Sequence, residues 1–215
     1  MSLYLPHAFV GSLEVGQEII RSNPLATLIS AVGDEIAVSH IPVVLVAEGD
    51  SVESWIFSFH LSRANPHVHS LLASCKVKMI FQGAESYYIS PNIYPSKHTN
   101  DGKVVPTWNF AAVHVEGVPQ PIDSSHEDRM KVVTALTDHF EGLSQKNPWK
   151  VTDAPEAYLR VMSKQIVCFT MKPTKVDVKV KMSQNKPSLD AAAAFQACPA
   201  LQRFVEDSNP PGDAS

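Results

Sequence analysis

Two runs in this 215-residue chain carry side chains suited to a flat, charged ligand. In "FHLSRANP", Arg63 stands two residues before Asn65-Pro66. An amide followed by proline is a helix-start signal: the amide caps and the proline takes the first helical position. Amides at a helix N-terminus favour an anion, and a guanidinium adds a forked donor that matches phosphate oxygens. The competing reading makes Arg63 a solvated loop residue and Asn65 only a cap. In "VPTWNFAAVHVEG", Trp108 offers a broad face and one N–H donor, with Asn109 and His114 following on the same stretch. An anchor in the core or at a dimer interface would use the same indole.

Three further runs add polar groups. "AVSHIP" sets Ser39 beside His40 in a strand, where neighbours face opposite sides, so one of the two points at a ligand or the interior. A lone strand histidine is more often structural than catalytic. "IFQGAESYY" ends an apolar run with Gln82-Gly83, where the glycine admits a close backbone or ligand, or marks a bulge. "KVKMSQNK" gathers Lys181, Ser183, Gln184 and Asn185, either a set of donors and acceptors or a hydrophilic turn.

Several function classes are excluded by what the sequence lacks. It has neither nucleotide-binding glycine fingerprint, no G-x-S-x-G elbow and no H-E-x-x-H. The nine histidines follow no metal-ligand spacing, and His67 and His69 would not share a helix face. Three cysteines without a Cys-x-x-Cys pair argue against a disulfide framework and fit a reducing cytoplasm. A formal charge of -4 implies no broad basic surface for duplex binding. No apolar run approaches membrane-spanning length.

The elements that must position these groups are mostly strands. "GSLEVGQEIIRSNP" predicts a helix capped by Ser12 and ended by Pro24. "LATLISAV" and "EIAVSHIPVVLV" predict a hairpin about Gly33-Asp34. "SWIFSFH", "KVKMIFQG", "ESYYIS" and "TWNFAAVHVEGV" read as further strands, and "QIVCFTMKP" with "KVDVKVKM" as a closing strand pair. "YPSKHTNDGKVV" reads as a mobile loop. "SSHEDRMKVVTALTDHFEG" predicts a helix with a Ser125–Asp128 box and a stop at Gly142. A second helix, "DAPEAYLRVMSK", has Asp153 and Glu156 as its box, and "AAAAFQACPALQRFVE" has helical character. Strands with helices in the gaps favour a closed antiparallel barrel over a doubly wound sheet. The expected layout is one domain over residues 1–190, then a C-terminal helix and disordered tail over 191–215.

The runs "YLPHAF", "LATLIS", "SHIP", "SRANPH", "IFQGAESYYISP", "VPTWNFAAVHVEG", "PW…DAPEAYL" and "KMSQN", in this order over residues 3 to 190, resemble the PaiB-type FMN-binding negative transcriptional regulators. That family is similar to the wider flavin-binding split-barrel group that includes pyridoxamine phosphate oxidase. The resemblance implies an α+β chain, mainly β: a six-stranded antiparallel Greek-key split barrel with flanking helices. It also implies a homodimer with FMN in a groove at the interface.

By the same resemblance, Arg63 is the phosphate ligand, with His60, Ser62 and Asn65 around it. Thr27, Ser39 and His40 approach the ring or ribityl chain. Gln82 bonds the ring or phosphate, Trp108 packs near the isoalloxazine, and Lys181 with Ser183, Gln184 and Asn185 closes the site. Two functions follow: a flavin-binding regulator, or an FMN-dependent oxidoreductase or flavin reductase with His40 as its acid or base. Direct DNA repression is the poorest fit, for want of a helix-turn-helix or basic stripe.

Overall fold

The structure, a computed structural model, describes residues 3–122, 125–144 and 146–205. The tail expected over 207–215 lies outside them. Eight strands are present among the described residues rather than six. They are β1 (Leu25–Val32), β2 (Glu35–Ala47), β3 (Ile56–Ser62), β4 (Val77–Ile89), β5 (Thr107–Gly117), β6 (Gln120–Pro121), β7 (Ile166–Met171) and β8 (Pro173–Lys181). The helices are α1 (Leu13–Ser22), α2 (His67–Leu72), α3 (His126–Ser144), α4 (Glu156–Met162), α5 (Ser188–Gln196) and α6 (Pro199–Gln202). None of these helices is long and apolar enough to cross a membrane.

The hydrogen-bonded strand order is β6-β7-β3-β2-β1-β4-β5-β8. The chain falls into two compact units, one from Pro24–Ile80 and Val115–Val176, the other from the residues up to Asn23, Phe81–His114 and the residues from Asp177. Strands β4, β5 and β8 each contribute to both.

In the first unit, β1 and β2 form a hairpin in register Val32↔Glu35 about Gly33. Gly33 has φ +60° while Asp34 does not turn positive, the pattern of a type II′ turn that suits the twist of the flanking strands. Alternation then buries Ala26, Leu28 and Ser30 and leaves Leu25, Thr27 and Ile29 on the other side. Phe57, Phe59 and Leu61 of β3 lie inward, with Phe59 stacked on Phe169 of β7 at 5.5 Å. The opposite face of β2, β3 and β7 is covered by α3, where Val44 and Cys168 meet Val132 and Leu136.

The expected closing strand pair does not form. β7 pairs with β3 and β6, whereas β8 lies beside β5. Lys172 alone separates them in sequence. Lys76 and Lys78 of the β4 edge bind Glu116 of β5 at 2.7 and 3.2 Å.

In the second unit, α1 starts on a Ser12 hydroxyl that accepts from Val15 N–H, as its sequence predicts. The expected break at Gly83 is absent, and β4 runs through it. A Cβ there would lie 3.3 Å from the Ala111 carbonyl oxygen, so glycine serves close backbone approach inside the sheet. The run read as a mobile loop opens with a 3-10 turn, Pro95–His98. Tyr94 is buried there, and Ser96 donates through its backbone N–H and its hydroxyl to the buried Asp190 of α5.

Two helix ends differ from expectation. The Ser125 hydroxyl does accept from Asp128 N–H, but α3 continues past Gly142 to Ser144. Gly142 has no positive φ, so the left-handed residue that stops a helix is missing. Asp153 does not cap α4. Its carboxylate accepts from Lys150 N–H and closes the preceding turn, leaving Pro155 at the helix start.

Candidate functional site

In the first unit the focus is the turn that joins β3 to α2. Arg63 is exposed yet fixed. Its Nε donates to Lys164 O at 2.8 Å, its Nη2 to Ile166 O at 3.0 Å, and its backbone N–H to Gln165 O at 2.7 Å. These carbonyls come from the chain entering β7. The Nη1 nitrogen has no partner among the described residues, so the clasp holds a guanidinium with one edge turned to solvent. Ser62 Oγ accepts from Ala64 N–H, and Asn65 Oδ1 from His67 N–H. Asn65 therefore caps α2 as expected, with Pro66 already in helical conformation. The helix is too short, at six residues, to add a terminal field of its own.

Alternation on β2 separates Ser39 from His40. His40 is exposed, and its Nδ1 meets Thr27 Oγ1 across the hairpin at 3.2 Å. Ser39 turns the other way, into a chain of polar contacts. Asn65 Nδ2 donates to Ser39 Oγ at 3.0 Å, Ser39 Oγ meets His67 Nδ1 at 2.9 Å, and His67 Nε2 meets Ser30 Oγ at 2.9 Å. Both ring nitrogens are thus used by a neutral imidazole. Burial lowers the His67 pKa below the ordinary histidine value. His60 stands apart from this set. It lies under α3 beside Leu136 and Phe140, its Nδ1 buried without a hydrogen-bond partner, and burial lowers its pKa too.

The second unit holds the remaining candidates. The Trp108 indole is 54% exposed and edge-on to Tyr88, ring centroids 5.7 Å apart. Lys181 reaches the same strand: its ammonium donates to Thr107 Oγ1 and, at 2.6 Å, to Trp108 O. Burial, then repulsion from Lys179 and Lys186, lowers its pKa. Asn109 is fully buried, accepting from Ser183 Oγ at 3.0 Å and facing Cys198 Sγ. Gln184 folds back on its own turn, from Val180 O to Met182 N–H. Gln82 and Asn185 are exposed and make no side-chain hydrogen bond among the described residues.

The structure therefore joins Thr27 to His40, Ser39 to Asn65, and Lys181 to the Trp108 backbone. It gives Ser183 and Gln184 structural bonds and leaves His60 apart. Sequence reasoning missed His67, Ser30 and Tyr88. The i, i+2 spacing of His67 and His69 directed attention to metals, whereas the partners of His67 sit on two strands. Tyr88 had a visible signal: it alternates with Gln82 along β4, on the same exposed side.

Comparison with known proteins places these groups in context. Residues 3–175 match the family described as "Putative FMN-binding domain". An uncharacterized protein of Emericella nidulans is 30% identical over 205 residues, covering 80% of each chain. The Bacillus subtilis protein called protease synthase and sporulation protein PAI 2 is 24% identical, over 87% of this chain and 85% of its own. Among solved structures, the FAD and heme binding protein from Mycobacterium smegmatis superposes with a TM-score of 0.57 at 12% identity, over 80% of this chain and 72% of that one. At that identity the likeness is one of fold, and it agrees with the mainly β, antiparallel sheet with helices seen here. In the first unit, the exposed Arg63 guanidinium and the polar Thr27–His40 pair suit a phosphorylated flavin in donor type. With residues 3–175 matched, the chain belongs to the family described as a putative FMN-binding domain, and FMN is its cofactor.

Proposed function

We propose that Arg63 holds the phosphate of FMN, and the clasp on Arg63 is the observation that carries this reading. Two of its nitrogens are tied to carbonyls, so the free edge is positioned before any ligand arrives and little side-chain entropy is lost on binding. Ser62 and Asn65 shape the turn beside it. Thr27 and His40 face the ribityl chain or the ring edge, and across the proposed dimer Trp108 of the other protomer supplies a face for the isoalloxazine. When bound, FMN supplies one- or two-electron redox chemistry; the chain binds, orients and shields it.

A homodimer is part of the proposal. Leu25, Ile36 and Val38 are 64, 72 and 54% exposed on the face of the hairpin that also carries Thr27 and His40. Apolar residues gathered on one sheet face suit a symmetric partner. A regulatory role, as in the PaiB-type family, would run through the flavin: a change of redox state acts only if the two states differ in affinity for the two conformations. The formal charge of -4 speaks against a DNA contact, and steeply salt-dependent binding to a defined promoter fragment would overturn that part.

Titration calorimetry tests the assignment. Arg63→Ala should weaken FMN by about 10- to 100-fold, the scale of a charge-assisted hydrogen bond, and leave riboflavin almost unchanged. Equal losses for both ligands would reject the phosphate role. Trp108→Ala should weaken both and alter flavin fluorescence. A second reading, an FMN-dependent reductase, is favoured by His40: Thr27 takes one ring nitrogen and the other is left for a substrate proton. NAD(P)H-driven bleaching of the bound flavin with turnover, lost in His40→Ala, would establish it.

A further inference from the structure

A cleft of about 1040 Å³ opens along α3, within the first unit. None of the residues assigned to FMN above lines it. One wall is the ridge His126, Met130, Thr134, Asp138 and Gly142, which recurs every fourth residue and so lies on one side of the helix. A Cβ at Gly142 would meet no heavy atom within 4 Å, so the ridge ends in open space. The other wall carries Trp149, Lys150, Leu159 and Arg160. Trp149 is held in place by its backbone N–H, which donates to the Glu141 carboxylate at 2.9 Å.

Most charges in the cleft are already paired. Glu127 meets Lys131 at 3.3 Å, and Glu156 meets both Arg160 at 2.9 Å and His126 at 3.3 Å. Two are not: the exposed Asp138 carboxylate and Lys150 ammonium make no side-chain hydrogen bond or ion pair among the described residues. Met130, Leu159 and Trp149 add apolar side chains to the lining. The cleft thus offers one anion, one cation and an apolar surface, in a volume suited to a small molecule.

We infer that this cleft binds a small zwitterion of the amino-acid type with an apolar or aromatic side chain. Asp138 takes the ammonium, Lys150 the carboxylate, and Met130, Leu159 and Trp149 the side chain. A purely apolar ligand would leave both charges without a partner. A polyphosphate would bring more negative charge than one ammonium balances.

The test is calorimetric titration of the full FMN-loaded chain with L-phenylalanine, 3-phenylpropionate and phenethylamine. L-phenylalanine should bind saturably, and each analogue about two- to fivefold more weakly, as an ion pair in a half-open cleft allows. Asp138→Asn should remove the preference over phenylpropionate, and Lys150→Gln the preference over phenethylamine. Thr134→Trp should block all three ligands, with an unchanged melting curve showing that the fold survives. Excess free FMN should not displace L-phenylalanine, which separates this site from the flavin site. Absence of saturable heat up to about 10 mM, equal binding of the three ligands, or displacement of L-phenylalanine by free FMN would each overturn the inference.

Discussion

His67 shows how a residue with no visible motif can govern the site beside it. It bridges Ser30 on β1 and Ser39 on β2, and Ser39 in turn holds Asn65 at the turn that presents Arg63. The folded state favours the neutral ring because burial lowers its pKa. The unfolded chain then binds the proton more readily. Stability from this group is complete above the ordinary value of 6.5 and falls as pH drops from there toward the folded value. His60 contributes in the same direction. Urea midpoints measured from pH 8 to pH 5 should therefore decline below about pH 6.5. His67→Phe should flatten part of that decline and cost about 1 to 3 kcal/mol at pH 8, as a broken buried network does. An unchanged slope in the variant would show that His67 is not the titrating group. Asn65 as a cap was legible in the sequence because its partner is two residues away. The partners of Arg63 and His67 were not, because strand pairing brings them from distant segments.

Local rules served best where an element is set by its own neighbours. Ser12 before α1, the glycine turn between β1 and β2, and Ser125 before α3 all act as their residue types predict. At Gly83 the close backbone approach holds and the strand end does not, because glycine permits both and only the presence of Ala111 decides between them. Gly83→Val should accordingly strain the β4–β5 approach and lower stability by about 1 to 3 kcal/mol in thermal unfolding. The β4–β5 edge also depends on Glu116. Hydrogen bonds from Lys76, and secondarily from Lys78, overcome burial and hold its pKa at about 2. Its contribution is present above the ordinary value of 4.5 and is lost as pH falls from there toward about 2. Glu116→Gln should lose about 1 to 2 kcal/mol at pH 7 after allowing for solvent screening. It should also unfold with a shallower dependence on pH between 4.5 and 2. Identical acid unfolding of the two proteins would remove the claim.

At the scale of the whole molecule, thiol chemistry reports on packing. Burial pushes the Cys168 thiol up to about 11, and Cys198 is raised by burial as well. Both are buried and free, while Cys75 is partly exposed. Mass spectrometry after brief iodoacetamide treatment should find the label on Cys75 in the native protein and on all three cysteines in denaturant. Labelling of Cys168 at the rate of Cys75 would mean that α3 does not cover the sheet as described. The strand alphabet was readable in the sequence, yet the strand order was not, because β7 and β8 are adjacent in the chain and apart in the sheet. That separation bears on when the molecule becomes competent. The Arg63 clasp spans 103 residues of chain, from the turn after β3 to the start of β7. A nascent polypeptide carries the guanidinium long before the carbonyls that aim it have emerged from the ribosome. On the proposed assignment, capture of the flavin phosphate is a late event in the protein's biogenesis.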